Sequence, residues 1–417
     1  MTRLRTAADA SREKNRTSLK SPMRLMAVAG FGIAAAIGPA WPAVPTYSIT
    51  DLGTLGGTTS LAYGINDLGQ IVGQAYLRNG QAHATLFDST GRGNNLDLGT
   101  LLGGHSSVAR AINNLPGGGI IVGSSTNAHG NTHAVAFGFG SQVIDLDTLY
   151  SNQIYSTAYD ISDAGPFGLI VGYGDYTCCN IDIAPEPIGI VFGLPFAPPA
   201  FCCPSRKAEL SSVHGGIFSQ AFAINSAGQA VGAWFGPRTG NRPRAALWTI
   251  RPSPNSAGAV AIDLGGFTAD KASEAQDINY LGQIVGWSEL PNGLLRATLF
   301  DPTGAGRNLS LGTLYRGGSV ALAINDRPGG GLIVGYSCLD TCYEGSPHNR
   351  AVLFGFGGQI IDLNTLIDPT DALSGQVTLL EATDINNVGE GQITANGVFR
   401  GQSAGRAFLL TPLPASP

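Results

Sequence analysis

The chain has 417 residues, of which 43% are hydrophobic and 13% charged, with 59 glycines and a formal net charge of −5. So apolar a composition excludes an intrinsically disordered chain. Beyond residue 43 the balance is 17 basic against 27 acidic side chains, which excludes nucleic-acid binding and docking on anionic lipid, both of which need clustered Lys and Arg.

Residues 1–43 carry seven basic side chains and two acidic ones. From Met23 they read MRLMAVAGFGIAAAIGPAWPA: a basic start, an apolar stretch, then small and helix-breaking residues. This is the layout of a secretory signal peptide, with Met23 as the expected true start and Gly38 and Ala40 at the small-residue positions before a cut after Ala40. The apolar stretch falls short of the roughly 20 residues that span a bilayer. We therefore expect a secreted protein, extracellular or periplasmic, with no membrane insertion after signal removal. The six cysteines, Cys178, Cys179, Cys202, Cys203, Cys338 and Cys342, agree with export as disulfide candidates. Cys338 and Cys342 are near enough in sequence to bridge across a loop, and the two Cys-Cys pairs bracket an insertion at 175–206 with their connectivity open. Zinc is the rival reading, but no His stands near them at ligand spacing.

The next segment, YSITDLGTL at 47–55, resembles the end of a repeat whose beginning is missing. The first full unit follows as AYGIN (62–66), QIVGQAY (70–76), HATLFD (83–88) and NLDLGT (95–100). Its marker residue returns at Asn66, Asn113, Ser162, Asn225, Asn279, Asn325 and Asn386, and a larger duplication relates GQIVG…ATLFD…LGTL at 69–101 to the same motifs at 282–314. The apolar/polar alternation predicts four short strands per unit, and Asn-Asp-Leu-Gly predicts a tight turn between the first two. Seven such units predict an all-β fold, a seven-bladed β-propeller of four-stranded blades over 44–412, with 413–417 as a disordered tail. The last unit, GRAFLLTP at 405–412, lacks a fourth strand, so the strand at 47–55 is expected to complete it and close the ring. The Ala-rich first strand suits the crowded axis. A β-solenoid is the alternative.

The pattern DLGTLGG…A-x-x-IND-x-GQIVG…HA-x-x-F resembles the HAF-repeat family of extracellular repeat proteins. The name-giving residues stand here as His83-Ala84-Thr85-Leu86-Phe87 and His133-Ala134-Val135-Ala136-Phe137, and the ending at 391–412 resembles the family's terminal unit. The likeness covers about 47–412. It departs where Arg244, Arg296, Arg350 and Arg406 replace the His, where unit three has Ile188, and at the Cys- and Pro-rich insertion. The resemblance implies export and repeats, and no particular activity.

Several groups of residues are candidate sites. A basic residue opens strand three in six units: His83, His133, Arg244, Arg296, Arg350 and Arg406. An acid opens strand four in six: Asp51, Asp97, Asp145, Glu209, Asp263 and Asp362. The matching counts favour structural pairs; the alternative is a cationic ring for an acidic ligand. Asp160, Asp277 and Asp384 on the inner strands are placed to line the channel and hold a cation such as calcium, or else to pair with neighbouring polar groups. The insertion offers Tyr176, Phe196 and Phe201, with Tyr173 and Phe192, for partner contact. There is no HExxH, no GxSxG elbow and no phosphate loop. The reading is a monomeric, non-catalytic binding module for a glycan or cell-envelope protein; the alternative is a polysaccharide hydrolase or lyase on a propeller scaffold.

Overall fold

In the computed structural model the strands, numbered β1–β28 in chain order, form seven four-stranded antiparallel sheets arranged in a ring, the seven-bladed propeller expected from the repeats. The structure describes residues 45–414 apart from 140–141, 147–154, 166–167, 177–185, 193–206, 211–217, 238–239, 252–257, 328–329, 341 and 356–358. The segment expected to be a signal peptide and Cys178, Cys179, Cys202 and Cys203 therefore lie outside the described residues.

Blade 1 is representative: β2 (Gly56–Ile65), β3 (Ile71–Leu77), β4 (Ala82–Phe87) and β5 (Leu96–Asp97) pair in sequence order. The first strands of successive blades touch one another around the whole ring, so they line the axis. Each Ile-Val pair turns one side chain to each face of its blade. Ile71 packs with Leu409 of the last blade, whereas Val72 packs with Ile121 of the second. Both faces are dry, which is why this strand reads as a continuous apolar run. Burying such a side chain contributes about 1.5–3 kcal/mol.

Buried serines clip the blades together. The backbone N–H of Ala84 donates to Ser107 Oγ of the next blade at 2.8 Å, and Ala134 to Ser156 likewise at 2.9 Å. The same bond recurs from Gly189 to Ser219, Ala245 to Ser273, Ala297 to Ser319 and Ala407 to Ser60. Blades 6 and 7 use another device: buried Glu381 accepts from Asn349 Nδ2 at 3.2 Å and from the Gly345 N–H. Gly345 lies just beyond the Cys338–Cys342 disulfide, the bridge expected from the sequence.

Closure also follows expectation. β1 (Tyr47–Asp51) pairs with β28 (Gly405–Pro412), giving the last sheet the order β1-β28-β27-β26, with β26 at Val377–Ile385 and β27 at Ile393–Phe399. Tyr47 and Leu52 are fully buried there.

One feature escaped the sequence reading. Each inner strand carries a β-bulge one residue after a fully buried alanine, as at Ala62 and Ala275. The bulge drives a carbonyl toward the facing strand, where the Ile-Val-Gly glycine receives it. A Cβ on Gly73 would stand 2.0 Å from the Leu61 carbonyl oxygen, and one on Gly286 2.0 Å from that of Glu274. Glycine is required there for lack of room, not for its φ.

Candidate functional site

The bulges set the chemistry of the channel. The extra residues are Tyr63, Arg110, Tyr159, Phe222, Gln276, Leu322 and Thr383, one per blade. All seven are partly exposed. Contacts run around the first four blades: the Arg110 guanidinium lies 5.1 Å from the centre of the Tyr63 ring and 4.8 Å from that of Tyr159, which meets Phe222 edge-on at 5.4 Å. Tyr159 also stacks on Tyr173. Sequence reasoning missed this set. Its signal was the one freely varying position between the recurrent Ala and Ile-Asn.

The next position carries the three aspartates, and they do reach the axis. Asp160 Oδ1 accepts from its own Ile161 N–H and Oδ2 from Ile224 of the following blade, at 2.8 and 2.7 Å. Asp277 joins Ile278 to Ile324, and Asp384 joins Ile385 to Ile65, in the same way. Three carboxylates thus serve six of the seven inner-strand Ile N–H groups. Ile112 of blade 2 has none, because Ala111 and Gly64 stand where an aspartate would reach it. Among the described residues no three His, Cys, Asp or Glu side chains group closely enough to hold a metal ion. The three aspartates, read from the sequence as either cation ligands or partners of neighbouring polar groups, are spread over three blade junctions and bound to backbone N–H groups there.

The Asn markers cap their turns, as expected, and also tie neighbours. Asn66 Oδ1 accepts from Leu68 and Gln70, while its Nδ2 donates to the Asn113 carbonyl of the next blade at 3.1 Å. The link repeats at five further junctions and is missing where Ser162 precedes Asn225. The residues after the markers form an outer polar ring. Asn387 donates to Asp67, Asp67 to Asn114 and Asn114 to Asp163 through backbone N–H groups, all within 2.8 Å. Together these residues line an open cavity of about 170 Å³.

Burial pushes Asp160 up to about 6, Asp384 to about 7 and Asp277 to about 8, with repulsion from neighbouring carboxylates adding to it. Burial likewise raises Glu274 and Glu381 to about 7. A folded-state pKa above the unfolded value gives stability that is complete below the unfolded pKa, near 4, and lost as pH rises through 6–8. The thermal midpoint is therefore expected to fall between pH 5 and pH 9, and Asp277→Asn to flatten that fall. A wild-type midpoint constant over this window, followed by circular dichroism, would contradict the assignment.

The basic positions on strand three are mostly paired. His83 Nδ1 lies 2.9 Å from Asp97, His133 Nδ1 2.9 Å from Asp145, Arg244 3.4 Å from Asp263, and Arg406 2.6 Å from Asp51. Arg350 instead donates to the Asn349 and Pro347 carbonyls, while Asp362 caps the turn at Asn364. Arg296 faces Ser310 where other blades have an acid, and burial lowers its pKa. Four of the six candidate ring members thus take part in structural pairs with acids.

The insertion needs one correction. β12 (Glu186–Phe192) runs through it as the third strand of blade 3, and β11 (Ile170–Tyr176) includes Tyr173 and Tyr176. Phe192 is a buried core residue and no loop aromatic; the blade needs its third strand more than the segment needs a longer loop. Phe196, Phe201 and the Tyr176 side chain lie outside the described residues.

No family model and no curated protein matches the chain. Among solved structures it is similar to a Mycobacterium tuberculosis puromycin-hydrolyzing peptidase, at 12% identity and TM-score 0.47 over 87% of this chain and 56% of that one. It is also similar to Trypanosoma rangeli sialidase in complex with sialic acid, at 10% identity and TM-score 0.42 over 88% and 59%. The chain spans little more than half the length of either, and a likeness this distant carries no argument about activity.

Proposed function

We propose that this chain is an exported, non-catalytic binding module of the HAF-repeat type, and that it presents its axial channel to a glycan of the cell envelope or surroundings. One observation carries the reading. The three carboxylates at the axis, which are the obvious acid–base candidates, each have both oxygens held by backbone N–H groups of two blades. A general acid or base must present a free oxygen to the reacting group. Carboxylates occupied in this way serve the ring, and the partly exposed polar and aromatic groups beside them serve recognition.

The raised pKa values of the same three residues favour the rival reading, a polysaccharide hydrolase or lyase, since a carboxyl protonated near neutral pH suits a general acid. Incubation of the purified protein with bacterial and plant polysaccharides separates the two. Retention without new reducing or unsaturated ends is the expected result. New chain ends that disappear in Asp277→Asn would replace the binding module with an enzyme.

A further inference from the structure

Arg110 is a cation covered by aromatic rings. Among the described residues no carboxylate pairs with it, and its Nε is buried with no hydrogen-bond partner. Its guanidinium lies against two aromatic rings, those of Tyr63 and Tyr159. It stands on the inner strand of blade 2 (Ser107–Ile112), at the bulge, and is partly exposed. Four of the strand-three basic side chains, Arg244, Arg406, His83 and His133, are matched with acids, whereas Arg350 uses backbone carbonyls. Blade 2 is also the blade whose inner-strand Ile N–H meets no aspartate.

A guanidinium covered by aromatic rings keeps its edge for recognition. The rings exclude water and strengthen any ion pair made there, and the planar fork matches the two oxygens of a carboxylate. The geometry points to Arg110 as an anion subsite in the channel wall, taking the carboxylate of an acidic sugar, a uronate, at the guanidinium edge that the two tyrosine rings leave open. The sugar part of this inference rests on the glycan reading above; the oxyanion part does not.

The test is calorimetric titration of the purified protein with a short oligouronate, with a neutral glucan oligomer of the same length as comparison and sodium acetate as competitor. Wild-type protein is expected to bind the oligouronate, to ignore the neutral oligomer and to lose binding as acetate is added. Arg110→Gln should weaken binding by at least about tenfold, and Arg110→Lys, which keeps the charge and loses the fork, by nearly as much. Both should leave the thermal midpoint close to wild type. If Arg110→Gln does not fold, the Arg110 Nε–H resonance of labelled wild-type protein provides the second readout, and it should shift on oligouronate and not on the neutral oligomer. Unchanged affinity in folded Arg110→Gln, or no response of the wild type to either oligouronate or acetate, overturns the subsite. Retention of a neutral polysaccharide with no effect of Arg110→Gln leaves the binding module standing without it. An acetate-induced shift with no sugar binding retains the oxyanion site and removes the glycan.

Discussion

Gly286→Ala is expected to destabilise the protein by at least about 3 kcal/mol, among the largest effects a single methyl group can have here. The added Cβ would stand 2.0 Å from the Glu274 carbonyl oxygen, 2.9 Å from the Gln276 nitrogen and 3.0 Å from the Ala275 Cα. All three are backbone atoms held by the bulge, so no side-chain rotation relieves the contact, and the first two strands of blade 5 must separate. Gly293→Ala is the informative companion. That residue sits in a turn at φ 84° with nothing within 4 Å of a new Cβ, so it should lose only about 1 kcal/mol, the cost of a left-handed backbone. Chemical denaturation of both variants checks the pair. Equal losses would mean that the close approach at Gly286 is not what the structure describes.

The ring closure should be nearly as sensitive. Tyr47→Ala is expected to cost about 3–5 kcal/mol, the usual range for emptying a fully buried aromatic site. The loss falls on β1, whose departure would bare the edge of β28 to other chains, so self-association in size-exclusion chromatography should accompany it. Tyr47→Phe should behave in the opposite way. The Tyr47 hydroxyl is buried with no hydrogen-bond partner among the described residues, so deleting it removes an unpaid desolvation and should leave stability unchanged or raise it by up to about 1 kcal/mol. A destabilised Tyr47→Phe would reveal a partner for that hydroxyl.

The architecture was legible because it is written seven times. Marker spacing gave the blade count, and the orphan strand at 47–55 gave the closure, since a strand without its hairpin needs a partner elsewhere in the chain. The turn chemistry of Asn66 was legible for the same local reason. Its second bond, to the Asn113 carbonyl, was not, because nothing in a single unit reveals what its neighbour offers. The bulge was hidden by the assumption of strict alternation. Once Tyr63, Arg110 and Tyr159 are displaced by one residue they face the axis, and the candidate site moves from the strand-three cations to the inner strand. His83 and Arg406 attracted attention as a repeated charge, yet repetition in a ring is as much the mark of a structural pair as of a binding surface.

Each axial aspartate belongs to two blades, its own and the one that follows, and this makes the order of the units part of their chemistry. A copy of blade 2 in the place of blade 3 would bring Ala111 where Asp160 stands, leaving the N–H of Ile224 and that of the copied inner-strand Ile without their shared acceptor, although every strand would still be present. Cutting the chain at a different turn and joining its old ends would preserve every neighbour. The seven repeats are therefore a sequence of distinct letters despite their shared spelling: the ring tolerates a new starting point far better than a shuffled order.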